Sequence, residues 1–131
     1  QDDNDFYKAL TYLVDLHTDA KYIICWGAFG ERFDHEMQGF NVLCKYRMQY
    51  PDLKVMMMTG SNFAVVLKPG KHVIKCAKLQ GPVCSVIPLY HKTTVSTKGL
   101  KYDMNNHVLE FGGLVSSSNG FLDKQHVEIH N

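Results

Sequence analysis

The sequence is short of most features that announce a function class. It has four cysteines, and these (Cys25, Cys44, Cys76, Cys84) are far apart with no CxxC pair, each within an apolar stretch. That spacing speaks against a zinc site or a disulfide framework, because a Cys among apolar neighbours behaves as a small hydrophobe. No Asn-x-Ser/Thr sequon occurs, and no signal-peptide pattern opens the chain. Together these point to a reducing, cytoplasmic setting. No run approaches the roughly 18 apolar residues a membrane span requires. Net charge is only +1 and the Lys and Arg residues are scattered, so the clustered basic face expected of a nucleic-acid binder is missing. Repeats and low-complexity stretches are absent too.

What is present suits a folded core. The chain has 131 residues, 45% hydrophobic and 21% charged, enough apolar mass for one domain or part of two. It begins Gln1-Asp-Asp-Asn-Asp5 with no Met, at the lip of a helical pattern, which suggests that an N-terminal portion is missing.

Two periods divide the sequence. In residues 1–51, Phe6, Leu10, Leu13, Val14 and His17 recur at helical spacing behind acidic residues suited to a helix start. Tyr22–Trp26 is an apolar run that reads as a buried strand, broken by Gly27 and Gly30. A second helical pattern follows through Met37, Phe40, Cys44 and Met48, and Pro51 closes it. Strand, glycine loop and helix form a fragment of an α/β sheet. In residues 52–131, short β-type runs alternate with turn signals: 55–58, 63–67, 72–76, 83–87, 93–97, 107–111, 114–118 and 126–130. Lys68-Pro-Gly-Lys71 reads as a hairpin turn between two of them. The expected fold class is therefore an α/β fragment followed by an all-β antiparallel sandwich.

Three groups of residues could carry chemistry. Asp2, Asp3 and Asp5 could ligate Mg²⁺, a hard cation that takes few protein carboxylates when phosphates supply the rest, or could simply complement a helix dipole. The loop 27–34 would turn backbone N–H groups toward an anion, with Arg32 clamping phosphate oxygens. Asp34 would orient Arg32, approach a metal or cap the helix; an ordinary turn is the plainer reading of the loop. Ser116-Ser-Ser-Asn119 supplies short hydrogen-bonding groups able to read a polar heterocycle, and is equally a set of turn residues. His35, beside the loop, reads as a surface residue of a first helical turn.

Taken in register, these segments resemble thiamin pyrophosphokinases. Gln1-Asp-Asp-Asn-Asp-Phe6 resembles that family's Gln-Asp-x-Thr/Ser-Asp-Phe, and Gly27-Ala-Phe-Gly-Glu-Arg-Phe-Asp34 its Gly-Gly-x-x-Gly-Arg-Phe/x-Asp loop. Pro69-Gly-Lys-His72 is similar to its hairpin, Thr97-Lys-Gly-Leu-Lys-Tyr102 to its Thr-x-Gly-Leu-Lys-Trp, and Leu114-Val-Ser-Ser-Ser-Asn119 to its Leu-Val-Ser-x-Ser-Asn. Ala28 and Glu31 stand where the family carries Gly, and Asn4 where it carries Thr or Ser.

The resemblance implies an N-terminal α/β domain, a C-terminal β-sandwich and a homodimer with shared active sites. It implies transfer of pyrophosphate from ATP to the hydroxyl of thiamin, with Mg²⁺ as cofactor. By position, Asp5, Arg32 and Asp34 would be catalytic, with Asp5 on the metal. Gln1, Asn4, Gly30, Arg32 and Asp34 would bind ATP. Gln1, Tyr102, Ser116, Ser118 and Asn119 would hold thiamin. Residues 1–51 would belong to the ATP-binding domain and 52–131 to the thiamin-binding sandwich. As given, the chain would lack the family's upstream Asp-x-Asp-Ser segment and be inactive alone. The alternative is a non-catalytic homologue or a β-sandwich binding module.

Overall fold

A computed structural model of the chain describes residues 4–17, 19–28, 30, 32–76, 81–122 and 126–131. Two compact units divide at Lys68/Pro69.

The first unit opens with α1 (Asp5–Leu16), capped by Asn4, whose Oδ1 accepts the Tyr7 N–H at 2.8 Å. It continues through β1 (Tyr22–Trp26), α2 (Phe33–Gln49), β2 (Lys54–Met58) and β3 (Phe63–Val65). β1 and β2 run parallel, joined by α2, and β3 folds back antiparallel on β2. The core lies between the helices and one face of this sheet, where Leu10, Val42, Leu43, Tyr46, Val55 and Met57 cluster. Alternation along β1 sends Ile23 and Cys25 to that core and leaves Tyr22, Ile24 and Trp26 exposed on the other face.

The helical pattern through Met37, Phe40, Cys44 and Met48 forms α2, where Met37 and Met48 are exposed while Gly39, Val42, Leu43, Cys44 and Tyr46 are buried. Gly39 is there for proximity: a Cβ at that position would stand 3.0 Å from the Met57 Cε. The change of period at Leu53 does not mark the division of the chain. Residues 55–58 and 63–67, expected in the sandwich, supply β2 and β3 of the α/β sheet, because β2 is the parallel partner that α2 carries back to β1.

The second unit contains β4 (Lys71–Lys75), β5 (Val83–Val86), β6 (Thr93–Lys98), β7 (His107–Leu109), β8 (Ser116–Gly120) and β9 (His126–His130). A four-stranded antiparallel sheet has the order β4-β9-β6-β7, and β5 pairs with β8 in a second sheet. Val95, Leu100, Met104, Leu109, Val127 and Ile129 are buried. The class expected from the sequence, α/β followed by an antiparallel β-sandwich, is the class observed. Lys68-Pro-Gly-Lys71 is not a hairpin, however. β3 pairs with β2 and β4 with β9, so this segment joins the two units, and Gly70 exchanges backbone hydrogen bonds with Asn131 at 2.9 and 3.2 Å. Ser116–Gly120 is a strand rather than a turn, with a register shift opposite Cys84–Val86. Among the described residues no helix is long and apolar enough to cross a membrane.

Candidate functional site

In the first unit, the candidate residues lie at the starts of the two helices, Asp5 on α1 and Arg32 and Asp34 on α2. Val14 and His17 share a shallow depression with Tyr50, Pro51 and Leu53, so the C-terminal ends of α1 and α2 lie together. Tyr7, in the first turn of α1, also packs against Tyr46 near the end of α2, with ring centroids 5.3 Å apart.

Gly27 opens the loop at φ +76°, a left-handed conformation that glycine adopts freely, and its N–H still bonds to the Met58 carbonyl at 2.8 Å. Arg32 is the N-cap of α2 with no side-chain cap bond. Its guanidinium instead grips Asp34 through a fork, Nε to Oδ1 at 3.1 Å and Nη2 to Oδ2 at 2.6 Å. Of the three roles open to Asp34, orienting Arg32 is the one it performs in this geometry. The Arg32 hydrogen bonds hold the Asp34 carboxyl below the ordinary carboxylate range, and the same bonds raise Arg32. Both side chains remain well exposed. Two of the five guanidinium N–H donors serve Asp34, which leaves the others for a second oxyanion. Gly30 donates its N–H to Glu36 Oε1 at 3.0 Å, so this loop amide already has an internal acceptor. Glu36 was missed in the sequence; its signal is an acidic residue in the first turn of α2, reaching back to the loop.

Asp5 is a different case. Its side chain is 96% exposed and its nearest ion-pair partner is Lys8 at 3.8 Å. Among the described residues no group of three His, Cys, Asp or Glu side chains could hold a metal ion. Gln1, Asp2, Asp3 and Glu31 lie outside the described residues. Asn4 Oδ1 is engaged as the cap of α1.

In the second unit, Tyr102, Ser116 and Asn119 come together. Asn119, on β8, accepts the Tyr102 N–H at 3.0 Å and donates to the Tyr102 carbonyl at 2.7 Å. Its Nδ2 also lies 3.5 Å from Ser116 Oγ. Ser118 points outward, exposed, from the same strand. Tyr102 is 61% exposed, with Lys101 Nζ 5.4 Å from its ring centroid. Sequence reading missed Asp103, which accepts from Gly99 N–H (3.1 Å), Leu100 N–H (3.0 Å) and Thr97 Oγ1 (3.0 Å). Burial pushes the Asp103 carboxyl up, but these donors, with Lys98 nearby, outweigh it and hold it below the ordinary range. An Asp a few residues past a glycine is a common turn signal, too weak to single this one out.

Known proteins resemble this chain in sequence and fold. A family model described as "Thiamin pyrophosphokinase, catalytic domain" matches residues 1–57, and one described as "Thiamin pyrophosphokinase, vitamin B1 binding domain" matches residues 71–131. The chain is 36% identical over 126 residues to thiamine pyrophosphokinase 2 of Arabidopsis thaliana, covering 91% of this chain and 46% of that protein. Against thiamin pyrophosphokinase 1 of Caenorhabditis elegans the identity is 31% over 132 residues, covering 95% and 53%. The chain thus spans about half the length of the curated relatives it matches. The solved thiamin pyrophosphokinase from Candida albicans superposes with a TM-score of 0.76 at 28% identity, covering 92% of this chain and 47% of that one. The Bacillus subtilis thiamine pyrophosphokinase gives 0.81 at 20% identity over 100% and 64%, a likeness of fold.

Proposed function

Because this chain belongs to the thiamin pyrophosphokinase family, we propose that the whole protein transfers pyrophosphate from ATP to thiamin, yielding thiamin diphosphate and AMP. The thiamin hydroxyl oxygen attacks the β-phosphorus. The bond from that phosphorus to the oxygen bridging the α-phosphate breaks, and AMP leaves with its electron pair while the hydroxyl proton passes to solvent. Little covalent work falls to the protein, so positioning and charge stabilisation dominate. The observation that carries this reading is the Arg32 fork, exposed at a helix N-terminus and held in orientation by Asp34 with donors to spare.

In this reading Arg32 binds the polyphosphate, Asp34 aims it, and Gly30, Asn4 and Gln1 serve the nucleotide. Residues up to the end of the α/β unit serve ATP. Tyr102, Ser116 and Ser118 of the second unit serve thiamin, with the Tyr102 ring facing the cationic thiazolium and Asn119 beside them. Asp5 alone does not amount to a built cation site. A Mg²⁺ ion carried mainly by phosphate oxygens needs only one or two protein carboxylates, which Asp5 suits. When bound, the ion would neutralise charge on those oxygens. We further propose a homodimer in the cytoplasm, where thiols such as Cys25 and Cys44 stay reduced.

The test is product analysis of the whole protein with ATP, Mg²⁺ and thiamin. Thiamin diphosphate and AMP should appear in equal amounts. ADP with thiamin monophosphate would mean phosphoryl rather than pyrophosphoryl transfer, and binding of thiamin with no transfer would leave the chain as part of a binding module.

A further inference from the structure

One buried side chain holds the main chain of Tyr102 from both sides. Asn119, 5% exposed, is the only buried polar residue among those described. Its Oδ1 accepts two N–H groups, from Tyr102 at 3.0 Å and from Gly120 at 2.9 Å. Its Nδ2 donates to the Tyr102 carbonyl at 2.7 Å and reaches Ser116 Oγ at 3.5 Å. A primary amide offers two acceptor sites and two donors; three of the four are taken within the protein at 2.7–3.0 Å, and the fourth faces Ser116 Oγ at 3.5 Å.

The surrounding segment is built to the same end. Lys101 donates its N–H to the Gly120 carbonyl at 2.7 Å, and Asp103 gathers Gly99, Leu100 and Thr97. Leu100 and Met104 are buried on either side of Tyr102, whose ring nonetheless stands in solvent. A large aromatic left exposed on main chain this constrained has had the main-chain part of its ordering cost met before any ligand arrives.

We propose that Asn119 is a positioning residue: it fixes the Tyr102 main chain so that the phenol ring stands as a preset platform for thiamin, which Asn119 itself does not touch. The ligand assignment rests on the function proposed above, whereas the clamp does not. A bonded buried amide also explains why Asn, with one donor group and one acceptor on a short stem, occupies this strand position.

Two measurements test it. In the ¹⁵N-labelled, ligand-free chain, the Tyr102 amide should exchange with water well below its intrinsic rate. Asn119→Ala should speed that exchange at least about tenfold, since the bond is gone. Asn119→Asp, which keeps the acceptor and loses the donor, should fall between, and it serves as the second variant if Asn119→Ala does not fold. Intrinsic-rate exchange at Tyr102 in the unaltered chain overturns the inference by itself. Calorimetry with thiamin supplies the second arm. Tyr102→Ala, altering an exposed ring, and Asn119→Ala should each weaken binding about tenfold, and the double variant no more than Tyr102→Ala alone. Additive losses would mean that Asn119 meets the ligand directly, and the inference falls. If the unaltered chain takes no thiamin while Asn119→Ala still frees the Tyr102 amide, the clamp stands and the thiamin reading is what fails.

Discussion

Arg32 and Asp34 illustrate how a surface ion pair can matter for function while contributing little to stability. Exposed pairs are worth little on their own, yet a two-point fork removes rotational freedom from the guanidinium. Replacing Arg32 with Ala should lower thiamin diphosphate formation on the order of 100-fold, as loss of one charge-stabilising group commonly does. Arg32→Lys should not restore it, because an ammonium cannot hold Asp34 and a phosphate through one planar fork. Steady-state rates of the two variants decide the matter, and near-normal turnover in either would remove Arg32 from the site. The pair also has a pH signature. Asp34 is depressed when folded, so the fork is complete above the ordinary carboxylate range and is lost only as pH falls through the lowered value. A carbon-detected NMR titration should find the Asp34 midpoint below the usual range in the native chain and back within it in Arg32→Ala.

At the scale of elements, the segment between β6 and β7 is held by several hydrogen bonds from Asp103 and Thr97. Thr97 Oγ1 accepts the Met104 N–H at 2.9 Å while donating to Asp103, so strand end and loop are cross-tied. Asp103→Ala would leave the Gly99 and Leu100 amides without their acceptor. Because the site is solvent-accessible, water recovers part of the loss, and a destabilisation of about 1 kcal/mol is expected by urea unfolding. Asp103 is also depressed, so its contribution should hold above the ordinary carboxylate range and fade as pH falls through the lowered value. A variant as stable as the parent at neutral pH would show the three bonds to be incidental. In the first unit the comparable device is packing: α2 sits close on β2 because Gly39 presents no side chain to Met57.

For the whole molecule, the open question is association. The first unit exposes Tyr22, Ile24 and Trp26 along one face of β1, and the second exposes Val73, Val83, Tyr102, Val108 and Phe111. If the Ser116–Asn119 strand works beside a second copy, the chain should dimerise through the second unit. Light scattering at tens of micromolar should then report twice the chain mass, and Trp26, which lies in the first unit, should keep its emission on dilution. A monomer at that concentration would rule the arrangement out.

Local pattern carried much of this. The starts of both helices, the strand at Tyr22–Trp26 and nearly every later strand follow from periodicity, caps and turn residues, which act over a few positions and leave their trace in neighbouring letters. The family motifs likewise singled out Arg32, Asp34 and Tyr102 as candidates. Partnership between distant segments left no such trace. That β2 lies parallel to β1, that Lys68–Lys71 bridges two units rather than turning a hairpin, and that β4 pairs with β9 depend on which apolar faces find burial together. The helical pattern through Met37 and Met48 did not say which stripe of α2 is buried, because helical spacing fits more than one, and only the sheet beneath α2 selects among them. Asn119 shows the limit most clearly. Its motif marked it as important, but whether its amide meets a ligand or the main chain of Tyr102 was decided by the fold. Only the fold sets a residue 17 positions away within hydrogen-bonding distance of it.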